Sequence, residues 1–153
     1  MLALPPIEGK GMASSAAPHV LVVACKTATD PALLAAVTER ADRGPCAFTL
    51  LVPAPTSTLE RLTDPDDADR GAAQEILDAA LPRIREAAGG APVDGIVGDP
   101  TPLNAIADAV NVVGFDEIII STLPHAVSRW LHLDLPHKAA GLGLPVTTVS
   151  AAA

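Results

Sequence analysis

The residues of this chain that could do chemistry gather late, in Ile118–His137, IIISTLPHAVSRWLHLDLPH. Ser121 and Thr122 offer hydroxyls, and Arg129 stands beside Trp130, a pair that can form a stacking platform for a ligand. His125, His132 and His137 follow at spacings that match no zinc pattern, so a metal centre is not expected. The first long apolar run ends in Cys25-Lys26. Nothing in the sequence ties a histidine and a carboxylate to Cys25, so it reads as a small strand-end residue and not as a nucleophile. Asp64, Asp66 and Glu75 in DPDDADRGAAQE imitate a calcium loop. Ala68 takes a ligand's place there, however, and Asp69 takes that of the turn glycine, so the segment reads as an acidic helix entry.

These residues need a frame, and the apolar pattern supplies it. HVLVVAC (19–25) is continuous and β-branched, as suits a strand buried on both faces. Asp30 is a good helix cap, with Pro31 at the first helical position and Leu33, Leu34, Val37 and Ala41 on one face. CAFTLLVP (46–53) is a second strand, and residues 54–71 read as a polar, acidic loop. A helix over 71–88 should bend at Pro82. APVDGIVGD (91–99) is a third strand, with Gly95 marking an edge or a close approach. Thr101 and Pro102 open a helix with the stripe Leu103, Ile106, Ala107, Val110 and Val113. FDEIIIST (115–122), a short helix in 134–143 capped by Asp134, and PVTTVS (145–150) complete the series.

Strand and helix alternate throughout, which predicts an α/β domain over 19–153. Its five-stranded sheet should be parallel and doubly wound, in the order 3-2-1-4-5 with helices on both faces. Ligands in such sheets bind beyond the carboxyl ends of the strands. The windows to inspect are therefore Cys25–Thr29, Pro53–Pro55, Gly98–Thr101 and Ser121–His132. Within them the candidate ligand contacts are Cys25, Lys26, Pro53, Gly98, Ser121, Thr122, Arg129 and His132. The first window, CKTATDP, has no glycine and excludes a dinucleotide fingerprint, and no phosphate-binding G-x-x-x-x-G-K-[ST] occurs. The acidic pair and distal lysine of a phospho-receiver are missing as well.

The run VDGIVGDPTPLNAIADAVNVVGFDEIII resembles the universal stress protein family, with Gly98, Pro100, Ile106, Ala107, Asp116 and Glu117–Ile120 where the family pattern expects them. HVLVVA and LPVTTV are similar to the family's first and last strands. The resemblance covers about residues 19–150 and implies a non-enzymatic regulatory or stress-response module acting on an unidentified protein partner. It also implies a homodimer joined through the last strand, Val146–Ser150. Nucleotide-binding members carry an aspartate at the end of strand one, a Gly-x-x-Gly after strand four and a later Gly-Ser/Thr. Cys25, Ser121, Pro124 and Leu133-Asp134 stand at those places here. A proline lacks an amide donor, and a carboxylate repels phosphate, so no cofactor is expected and ATP or AMP is disfavoured. The alternative is a sensor that binds a nucleotide (AMP or ATP) or another anion at the carboxyl ends of strands one and four, using Lys26, Arg129 and His132.

Composition sets the outer bounds. A chain of 153 residues with 49% hydrophobic but only 2% aromatic content builds one aliphatic core. A net charge of −8 without a basic cluster excludes nucleic acid and an anionic membrane as main partners. No apolar run reaches the roughly 20 residues that cross a bilayer. Residues 1–18 lack a basic, apolar leader and read as a flexible extension, so the cytoplasm is the expected location. Cys25 and Cys46 should lie at opposite ends of neighbouring strands, roughly 20 Å apart and too far for a disulfide.

Overall fold

Strand β1, His19–Val23, is buried along Val20–Val23 and lies at the centre of the sheet. A strand with neighbours on both edges and helices on both faces must be apolar at every position, which is why the run shows no alternation. The elements that follow in this computed structural model are α1 (Pro31–Asp42), β2 (Ala47–Pro53), α2 (Pro65–Ala88), β3 (Val93–Gly98) and α3 (Pro102–Val112). Then come β4 (Glu117–Thr122), α4 (Arg129–His132), α5 (Leu135–Ala140) and β5 (Val146–Ser150). The structure describes residues 17–54, 65–124 and 128–151, with 65–70 as backbone only. The N-terminal extension up to residue 16, the segment 55–64, His125 and the acidic side chains of the calcium-like run before Gly71 lie outside the described residues.

The sheet order is β3-β2-β1-β4-β5, all parallel, as the alternation predicts. Val20, Val22, Leu50, Val52 and Ile119 pack under α1 and α2 through Leu33, Val37, Leu77 and Ile84. Leu21, Val23, Leu51, Ile118 and Ile120 face α3 and α5 through Ala105, Ile106, Ala109, Leu135 and Ala139. Cys25 and Cys46 fall at opposite ends of the sheet, and both are free.

Helix α2 starts at Pro65, before the predicted Gly71, and runs to Ala88 with Pro82 inside it. The acidic run belongs to its first turns, where carboxylates favour the positive end of the helix dipole. On α3 the buried face is Ala105, Ile106 and Ala109, while Val113 is 53% exposed. The helix lies close on the sheet through its alanines. A Cβ built on Gly98 would stand 2.8 Å from Ala105 Cβ and 2.7 Å from Leu51 Cδ1. Gly95 has the same role against Leu77 on the other face, at 2.7 Å.

Two caps also differ. Thr101 holds the cap position of α3 without a side-chain cap bond, and Asp99 Oδ1 instead accepts from Thr101 N at 2.8 Å. Asp134 precedes α5 in a left-handed conformation (φ 59°), also without a cap bond, its carboxylate 3.7 Å from His137 Nδ1. The loop after β4 holds a further short helix, α4, capped by Ser128, whose Oγ accepts from Leu131 N at 3.2 Å.

At the amino ends of the strands, Arg40 of α1 is buried. Its Nε donates to Glu117 Oε1 at 3.0 Å, tying the helix to β4. His19 bonds Thr49 Oγ1 through Nε2 at 2.7 Å, and its ring lies 4.4 Å from that of Phe115. Burial holds the His19 imidazole below its ordinary value, against the opposing pull of Asp116 and Asp94.

Candidate functional site

The carboxyl ends of the strands form a cleft of about 450 Å³. That size accommodates a small organic ligand. Each wall follows from a chain reversal. β1 ends at Val23, and the turn that leads to the Asp30 cap carries Cys25, Lys26 and Thr27 into the cleft. β2 contributes Pro53 and Ala54, with Ala54 N bonded to Gly98 O at 3.0 Å. The entry to α3 gives Pro100, Thr101 and Pro102. β4 delivers Ser121, Thr122 and Leu123, while the segment around α4 gives Ser128, Arg129, Trp130 and Leu133.

Of the eight candidates, Cys25, Lys26, Pro53, Ser121, Thr122 and Arg129 come together here. Gly98 and His132 do not line the cleft. Gly98 is occupied with packing, since any side chain would collide with Leu51 and Ala105. His132 stands exposed at the end of α4. Leu133 and not Asp134 lines the cleft. The expected repulsion between an aspartate and a phosphate at this place is thereby replaced by an apolar wall. Trp130 has two roles, packing on the core cluster beneath α3 and lining the cleft.

The polar groups divide sharply. Thr27 Oγ1 and Ser121 Oγ are buried and bond each other at 2.6 Å, joining the turn after β1 to the end of β4. Thr122 is 2% exposed, and its Oγ1 has no hydrogen-bond partner among the described residues. Successive strand residues point to opposite faces, so Ser121 and Thr122 address opposite sides of the sheet. Thr101, free of capping duty, adds a hydroxyl at the rim. Among the described residues of the lining, Lys26 and Arg129 are the cations and none is a carboxylate, although the chain carries a net charge of −8. Burial pushes the Cys25 thiol up, with Lys26 opposing, so it stays protonated at neutral pH and is a poor nucleophile.

The topological windows catch most of this lining. Pro102 and Leu133 fall outside them, each by one residue. Thr27 and Leu123 lie inside the windows but carry no signal that singles them out. The Ser128 hydroxyl does have one, a helix-cap residue ahead of Arg129-Trp130-Leu131.

No family model matches the sequence, and no curated protein matches it. Solved structures do. A universal stress protein from Archaeoglobus fulgidus is 20% identical with a TM-score of 0.62, over 86% of this chain and 93% of that one. The universal stress protein from the same organism in complex with dAMP is 19% identical, TM-score 0.59, over 88% and 98%. A protein of the family from Burkholderia pseudomallei is 18% identical, TM-score 0.54, over 86% and 94%. The chain has the universal stress protein fold.

Proposed function

We propose that this chain is a universal-stress-type regulatory module, not an enzyme, which senses a small anion in the cleft and does not hold ATP in the manner of nucleotide-binding relatives. The observation that carries the reading is the cleft's charge and shape. Lys26 and Arg129 come from separate elements onto a lining that, among the described residues, has neither carboxylate nor glycine. Cys25 stands in the place of an acidic ribose contact, and Ser121 and Pro124 stand where the glycines of nucleotide-binding relatives would present amides to phosphate. Among the described residues of the lining none is a histidine or carboxylate that could act as general base, and burial keeps the Cys25 thiol protonated, which supports binding over catalysis.

The second reading is a nucleotide sensor. It is favoured by the solved universal stress proteins in complex with dAMP and with cAMP. Two measurements separate the readings: mass spectrometry of any nucleotide released on denaturing the purified protein, and calorimetric titration with ATP and AMP. The proposal expects no released nucleotide and no micromolar ATP binding. Bound ATP refutes it.

The module is expected to work in the cytoplasm as a homodimer and to signal to a further protein. The dimer reading rests on β5, an edge strand whose Thr147, Thr148 and Ser150 are exposed. An unprotected edge is a template for pairing. Sedimentation at high concentration checks it, and a monomer contradicts it. The extension at 1–18 is taken to stand apart from the domain at 19–153, and limited proteolysis should remove it first.

A further inference from the structure

We infer that the ligand of the cleft is a small organic carboxylate on an apolar or aromatic body, an inference that rests on the anion-sensing reading above. Three features of the lining select this class. The first is the charge pattern. A single guanidinium can grip a carboxylate with two parallel bonds, and Arg129 is exposed and lines the cleft with Lys26 facing the same space.

The second feature is a shortage of donors and acceptors. Pro53, Pro100 and Pro102 contribute no backbone N–H, and among the described residues of the lining no glycine opens the backbone, so the cleft is poorly equipped to satisfy the several oxygens of a phosphate. No Asp, Glu, Asn or Gln lines it either among the described residues. The hydroxyls of a ribose and the amino group of a base would therefore find no carboxylate or side-chain amide acceptor there. Thr27 and Ser121 are already committed to each other at 2.6 Å.

The third is apolar surface. Those prolines, with Leu123, Trp130 and Leu133, give the cleft a largely apolar wall. Against this wall one buried hydroxyl, Thr122 Oγ1, has no partner among the described residues. An unpaired buried hydroxyl is costly, and a carboxylate oxygen is the acceptor that would satisfy its proton. An apolar body on Trp130, a carboxylate at Arg129 or Lys26 and one bond from Thr122 account for the lining together.

The chain carries one tryptophan and no tyrosine, so intrinsic fluorescence reports on Trp130 alone. The test titrates the full chain with benzoate, its neutral isostere benzamide, inorganic phosphate, AMP and ATP, following Trp130 emission. Saturable change with benzoate is expected, with benzamide and phosphate weaker by at least about tenfold, the worth of one charge-assisted pair. Arg129→Gln should weaken benzoate by about as much, and Thr122→Val should weaken it with the fold intact by circular dichroism.

Equal binding of benzamide overturns the carboxylate assignment. Saturation by AMP but not by benzoate overturns it while leaving an anion-sensing cleft. Saturation by ATP overturns the underlying reading as well. No response to any probe refutes the cleft as a ligand site.

Discussion

Replacing Thr122 with valine should stabilise the unliganded protein, the reverse of what a polar contact in a core usually implies. The Thr122 side chain is buried at the end of β4, and its hydroxyl has no partner among the described residues. A buried hydroxyl left unpaired costs about 1–3 kcal/mol, and valine has nearly the same shape and suits a strand. The low end applies because the cleft brings solvent close. The gain is then about 1 kcal/mol, which raises the Tm of a chain this long by about 2–4 °C. The neighbouring change, Ser121→Ala, should have the opposite sign. It breaks the 2.6 Å bond and leaves Thr27 Oγ1 buried without its partner, a loss of about 1–2 kcal/mol. Thermal melts and urea titrations followed by circular dichroism read both. If Thr122→Val melts lower than the parent, the hydroxyl is already satisfied and the argument that it is held for a ligand fails.

Three further outcomes follow from the rest of the molecule. His19 is held below its ordinary value near 6.5 chiefly by burial, so the unfolded chain takes up the proton first. Stability should be full above that value and fall as pH drops from it through the folded-state value. A urea series between pH 7 and pH 5 reads the slope, and His19→Gln should flatten it. Arg40→Met strands Glu117 half-buried and should cost about 2–3 kcal/mol, part of which the double variant with Glu117→Gln recovers in a denaturation cycle. Gly98→Ala should cost about 1–3 kcal/mol, since its methyl meets Leu51 and Ala105 inside contact distance, and a wild-type melting temperature would contradict the close packing of α3.

The strands were legible because a doubly covered parallel sheet forces unbroken apolar runs, and β1, β2 and β4 are such runs. Asp30 could be read as a cap because its signal is local, and its side chain does accept from Ala32 N at 2.8 Å. The start of α2 could not, because Asp-rich, proline-bearing sequence suits a loop and a helix first turn equally well. The buried face of α3 shifts from the large apolar stripe toward Ala105 and Ala109 because a glycine on the sheet lets alanines make the contact, which side-chain size alone does not indicate. In the site, topology pointed to the right end of the sheet and hence to Cys25, Lys26, Ser121, Thr122 and Arg129. The pairing of Thr27 with Ser121, the orphaned Thr122 hydroxyl and the displacement of Asp134 from the lining depend on contacts between segments far apart in sequence. No local pattern encodes them.

Binding of a small organic carboxylate in the cleft between the ends of β1 and β4 can be seen residue by residue in amide chemical-shift mapping of the full chain with benzoate. Shifts should concentrate at Cys25–Thr27, Ser121–Leu123 and Ser128–Leu133 and saturate together, with benzamide leaving them in place. Shifts that fall elsewhere on the sheet, or none at saturating benzoate, would contradict it.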